Sequence, residues 1–184
     1  VQGDNTTPSN VVLDGGAGYP FVVSNHGTVV NVTGVKVKST GASGFAANNG
    51  GRLYIIGRVE WGQCAVCMSV DGGFITNFAN AAGAGPHCWI TGNFSYFARA
   101  TNGGKISQNN CTFSIPAGTV CSASFLSAST NAIVEVVGNT WTVANVTGTK
   151  YLTDTGGGVQ TFGSGASSIP GTVAGTATSP GFFS

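Results

Sequence analysis

Few side chains in this chain can do chemistry. The carboxylates number six (Asp4, Asp14, Glu60, Asp71, Glu135 and Asp154), the histidines two and the cysteines five. Hydrolysing a glycosidic bond takes two carboxyl groups roughly 5 to 9.5 Å apart. Glu60 is the most suggestive of them, with Asp71, the next carboxylate along the chain, as its candidate partner and Glu135 two coils beyond Asp71. Lyase chemistry would need a base beside a neutralised acidic sugar, but Arg58, Arg99 and Lys105 stand alone and no acidic cluster offers calcium a cage. Asp71 and Asp154 also sit at corners, where structure explains them. The carboxylate supply is thin, and the sequence favours binding over catalysis.

Cys64-x-x-Cys67 invites a metal or redox reading, with His87 and Cys88 as further ligands. No second Cys-x-x-Cys or paired histidine completes a zinc pattern. We therefore expect five buried free thiols, no metal and no cofactor, in a chain that folds in a reducing compartment. Aromatic side chains remain. Trp61, Trp89, Tyr96 and Trp141 are the candidate ligand-binding residues, with Tyr54 beside them: a ring can stack against the apolar face of a sugar while Asn, Ser and Thr bond its hydroxyls. The parity of Gly57-Arg58-Val59-Glu60-Trp61 complicates one of them. If Val59 points inward and Glu60 outward, Trp61 points inward too, unless a turn begins at Gly62.

The elements that hold these residues are strands. Of 184 residues 30 are Gly, 41% are apolar and only 7% are charged, and good helix formers are scarce. Seven basic and six acidic residues are scattered singly, so nothing neutralises a nucleic-acid backbone. No apolar run reaches the length of a membrane span. The chain opens on Val1, which points to processing or to excision from a longer protein.

The chain repeats. A polar residue followed by a Gly-rich pair heads each β run: Asn25-His26-Gly27, Asn49-Gly50-Gly51, Asp71-Gly72-Gly73 and Asn102-Gly103-Gly104, with weaker copies at Thr130-Asn131-Ala132 and Gly156-Gly157-Gly158. Steps between these triplets run 24, 22, 31, 28 and 26 residues. Two residues past each triplet stands an aliphatic: Val29, Leu53, Ile75, Ile106 and Val134. Gln160 takes that place in the last copy, which predicts that the ladder ends there. Three strands and tight corners per unit predict an all-β fold, a right-handed parallel β-helix of about five coils over 25–160. Residues 1–24 would enter it and 161–184 would cap it or contact a neighbouring subunit. A β-sandwich is the competing architecture, but it gives no reason for equivalent positions to recur.

The tail carries a resemblance. Gly163-Ser164-Gly165-Ala166-Ser167-Ser168-Ile169-Pro170-Gly171, then Ala174-Gly175-Thr176-Ala177-Thr178, resembles the C-terminal ending of phage and prophage tail fibre or tailspike proteins. Ile169 stands where an aromatic is common, and Phe182-Phe183 replaces the usual Gly-Gly-aromatic end. Coils such as Ala46-Ala47-Asn48-Asn49-Gly50-Gly51 are similar to those fibres too, so the likeness spans residues 25 to 184. It implies a pectate-lyase-like β-helix at the tip of a homotrimeric fibre, part of a virion folded in the host cytoplasm, that binds a host-surface glycan or other receptor. A polysaccharide depolymerase on the same β-helix and a bacterial surface adhesin solenoid are the alternatives.

Overall fold

The computed structural model describes residues 1–78, 87–143 and 146–184. Among them are no α-helices and twenty strands, which wind three to a turn. The first turn holds β1 (Val12–Asp14), β2 (Phe21–Ser24) and β3 (Val29–Val32). The second holds β4 (Val35–Lys38), β5 (Ser43–Asn48) and β6 (Arg52–Ile55), and the third β7 (Val59–Trp61), β8 (Val66–Asp71) and β9 (Phe74–Phe78). Then come β10 (His87–Ile90), β11 (Phe94–Thr101) and β12 (Lys105–Asn109), followed by β13 (Thr112–Ile115), β14 (Val120–Ala128) and β15 (Ile133–Val137). The sixth turn is β16 (Thr140–Val143), β17 (Thr147–Thr153) and β18 (Gly158–Gln160), and the tail adds β19 (Thr176–Ala177) and β20 (Phe182–Phe183).

Every third strand pairs in parallel, which yields three sheets: β1-β4-β7-β10-β13-β16, β2-β5-β8-β11-β14-β17-β19 and β3-β6-β9-β12-β15-β18-β20. The protein is a parallel β-solenoid of about six turns. Six rather than five follow because β1 and β2 already pair with β4 and β5 ahead of the first triplet.

Corners are set by left-handed residues. Asn25, Asn49 and Asn102 have φ of 77°, 50° and 52°, a region Asn tolerates because its short amide bonds locally. Gly103 continues the turn at φ 70°. The second glycine serves a different need: a Cβ on Gly73 would sit 2.5 Å from the Ala47 carbonyl oxygen, so no side chain fits where the corner crosses the turn below. Corners also bond to one another. Asn102 Nδ2 donates to Asp71 Oδ1 at 2.6 Å, and the Asn49 amide donates to the Asp71 carbonyl at 2.9 Å.

The aliphatic ladder needs two corrections, each of one residue. Val30, not Val29, faces Leu53, and Val159, not Gln160, faces Val134. Val29 is 53% exposed while Val159 is fully buried. The first corner holds one residue more than the second, since Ser24 pairs with Asn48 yet Val29 pairs with Arg52. At the other end the run of three glycines permits several frames, and the true triplet is Thr155-Gly156-Gly157, with Thr155 at φ 46°. The ladder then runs on to Phe183, which pairs with Val159.

Rings fill the interior. Phe45, Trp61, Phe97, Phe113 and Phe125 are fully buried, and Trp61 meets Phe45 and Phe97 edge-on at 5.9 and 5.7 Å. The column ends at Trp141, stacked on Phe113 at 4.3 Å. One inward row of the third sheet turns polar in its middle: between Ile55 and Val136, Asn77 and Gln108 lie side by side, fully buried, and donate to Cys88 Sγ and Met68 Sδ.

Candidate functional site: a cleft on the outer face of the first sheet

Strand alternation gives the first sheet two rows with opposite roles. Val35, Val59, Cys88, Phe113 and Trp141 run along its inner side. Lys36, Glu60, Trp89, Ser114 and Thr142 run in register along the outer side. The outer row is where the chemistry gathers.

Glu60 Oε1 accepts from Lys36 Nζ and from Thr91 Oγ1, both at 2.6 Å. Its carboxylate is largely covered, 11% exposed against 24% for the lysine, so the pair is fixed rather than solvent-averaged. Trp89 lies next along the row and stacks on His87 with ring centroids 4.6 Å apart. His87 Nε2 in turn is 2.8 Å from Ser114 Oγ. This is a base beside a hydroxyl, the first two members of a nucleophilic triad. Through its stack on Trp89 the same imidazole also orients the indole.

The N-terminal segment makes the far wall. Asp4 accepts from the Thr6 and Thr7 amides at 2.9 and 3.0 Å and from Asn10 Nδ2 at 2.7 Å. The Thr7 amide, then Asn10 and Thr6, hold its carboxyl below the usual carboxylate range. Asn5 Oδ1 fastens the segment to the solenoid by accepting from Thr33 Oγ1 at 2.7 Å and from the Arg58 amide at 2.9 Å. Between segment and sheet lies a cavity of about 210 Å³ lined by Thr6, Thr7, Pro8, Ser9, Glu60, Trp89 and Thr91.

Two residues expected from the sequence, Glu60 and Trp89, thus meet in one cleft. The others are dispersed. Trp61 is wholly inside the solenoid, its Nε1 donating to the Cys67 carbonyl at 3.1 Å. It offers a ligand nothing, as the parity of β7 requires. Tyr96 stands on the outer side of the second sheet with the Arg99 guanidinium 5.1 Å from its ring centre. Tyr54 stands on the third sheet against Phe74. Trp141 lines a separate cavity under the tail. Asp71 is not near Glu60 in the fold: one ends β8 at a corner, bonded to Asn102 and Thr101, and the other lies mid-strand in β7. Glu135 is paired with Lys105 at 2.6 Å on the third sheet.

All five cysteines are free and buried. Cys88 and His87 point to opposite faces of β10, so they cannot share a metal, and no group of three or more metal-ligating residues assembles among the described residues. Burial pushes Cys88 and Cys121 up to about 12 and raises Cys67 and Cys111 as well. Cys64 alone goes down, because the Cys67 thiol bonds to it. None of the described helices is long and apolar enough to cross a membrane.

Lys36, Thr91 and Ser114 were not singled out from the sequence, and His87 was considered there only as a metal ligand. The signal was there: stepping from Glu60 to Trp89 by one turn of the repeat also steps to Lys36 and Ser114.

The fold defines a class, the parallel β-solenoids, and here one outer face carries a cleft lined by an indole, a carboxylate and hydroxyls. Comparison of the chain with protein-family models, with curated proteins and with solved structures finds no match in any of the three.

Proposed function

We propose that this protein is the distal structural and receptor-binding part of a phage tail fibre or tailspike, a homotrimer that attaches the virion to a host-surface glycan. The observation that carries the reading is the Trp89 cleft. Its indole is fixed on His87, hydroxyls surround it, and its one carboxylate is already paired with Lys36. A single neutralised carboxylate suits the recognition of hydroxyls better than glycosidic hydrolysis, which needs two. The fibre-like ending of the sequence supports the assignment to a virion.

The third sheet supports self-association. Its outer row reads Val29, Arg52, Phe74, Lys105 and Ile133, with the Phe182 ring packed over Gly158 at the end. Val29 and Phe182 are 53% and 38% exposed. A face with apolar side chains in every second position is suited to burial against a second copy.

Two measurements test the proposal. Light scattering at micromolar concentration should give three times the chain mass, and a monomer would overturn the fibre assignment. Binding of the chain to host-cell polysaccharide should be lost in Trp89→Ala. Binding that is unchanged in this variant would remove the cleft from recognition. Release of reducing ends or unsaturated sugars, abolished by Glu60→Gln, would instead establish a depolymerase.

A further inference from the structure

The tail folds back over the sixth turn and leaves a second cavity of about 420 Å³, lined by Asn139, Thr140, Trp141, Ser167, Ser168, Ile169 and Pro170. It has twice the volume of the Trp89 cleft and falls within the range of small-molecule sites, about 300–1,000 Å³. Trp141 belongs to the inner row of the first sheet, yet it is only half-buried because it terminates the aromatic column. Phe113 covers one face of the indole at 4.3 Å, and Phe97 and Phe125 contact it at 5.7 and 5.2 Å. The ring is therefore held rigidly from the core side.

The walls are equally fixed. Asn139 Oδ1 accepts from the Cys111 amide at 2.9 Å, and its Nδ2 donates to the Gln108 carbonyl at 3.2 Å. Ser168 Oγ donates to the Gly165 carbonyl at 2.7 Å, Ile169 is buried to 2%, and Lys150 Nζ ties the tail down through the Ala166 carbonyl at 3.0 Å. Against this frame three polar groups have no partner among the described residues: the Trp141 indole N–H and the hydroxyls of Thr140 and Ser167. No ionisable side chain lines the cavity, so a charged ligand would lose its hydration with no counter-charge to replace it.

A flat ring, two free hydroxyls, one free N–H and no charge suit a ligand with one apolar face and a rim of hydroxyls. We infer that the Trp141 cavity is a binding site for a neutral pyranose sugar, separate from the Trp89 cleft and built by the C-terminal tail. The ligand class is the one proposed for the cleft, but the site is different, so either can fail alone.

The test uses the full chain and four neutral disaccharides: maltose, cellobiose, lactose and N,N′-diacetylchitobiose. Binding is read by saturation-transfer NMR and calorimetry. At least one of them should bind. Ser167→Phe fills the cavity from an exposed position without touching the core, and it should weaken binding about tenfold or more. Trp141→Phe keeps the stack on Phe113 but removes the N–H, and it should weaken binding severalfold. In Trp89→Ala the share of the binding that Ser167→Phe removes should persist. Absence of binding to all four sugars would overturn the inference. So would binding that survives Ser167→Phe while Trp89→Ala abolishes it, which would place the sugar in the cleft and leave the proposed function standing.

Discussion

Trp61 and Trp89 sit on neighbouring strands of the same sheet, one residue out of register with each other. Trp89 pairs with Glu60 and Trp61 pairs with Ile90. That single step separates a core residue from a surface one. Trp61 is fully buried among Phe45, Phe97 and Phe113, with its indole N–H satisfied by a carbonyl. Trp89 lies among a histidine, a carboxylate and hydroxyls, against a wall supplied by the N-terminus. Residue type does not separate them. Parity does, because side chains on a strand alternate and a solenoid has one wet face and one dry face per sheet.

Truncating each indole is the sharpest way to break the comparison. Trp61→Ala removes the central ring of the column and leaves a cavity that four turns of backbone cannot close. A loss of about 3–5 kcal/mol is expected, readable as a lowered denaturation midpoint at unchanged m-value. Trp89→Ala removes a half-buried ring stacked on His87 at the surface, so its stability change should stay within about 0.5 kcal/mol while polysaccharide binding at the cleft is lost. Equal destabilisation by the two would mean that the outer row is as structural as the inner.

Between these extremes lie the corners. Asn102→Ala removes the amide that bonds Asp71 and forces an alanine into a left-handed backbone at φ 52°. The strain alone costs roughly 1–2 kcal/mol. Asn102→Gly lifts that strain but not the lost hydrogen bond, so it should recover most of the stability. If it recovers none, the Asp71 bond rather than the backbone holds the corner.

Much of this was legible because the repeat is regular. The all-β class, the parallel pairing and the inward positions of Leu53, Ile75, Ile106 and Val134 follow from the triplets. Where the frame failed, it failed on short-range ambiguity. His26 adds a residue to the first corner, and the three consecutive glycines at 156–158 fit more than one register. The site was half legible. Glu60 and Trp89 were candidates for different roles, and only the pairing of β7 with β10 makes them neighbours. The Asp4 loop was invisible, since nothing in its sequence says which strand it will lie against. The buried Asn77–Gln108 row was missed as well, because a polar residue in a strand reads as outward until the register is known.

The smallest expected effect concerns the wall of the cleft. The folded chain keeps the Asp4 carboxyl below its ordinary value, which means that folding favours the charged form. Its contribution is therefore complete above the unfolded value, near pH 4 by about 3.9 for a free aspartate, and is lost as pH falls through the lower folded value. Global stability should barely respond, since the group is at the surface. The local consequence is specific: protonated Asp4 accepts less well from the Thr6 and Thr7 amides, and Thr6 to Ser9 loosen over Trp89. Affinity at the cleft should therefore fall below pH 4 while the Trp61 core remains intact by near-ultraviolet dichroism. Asp4→Asn should produce the same loss at pH 7 and flatten the acid limb of the profile. If the variant binds as the native chain does at both pH values, the N-terminal wall takes no part in recognition, and Trp89 works from the sheet alone.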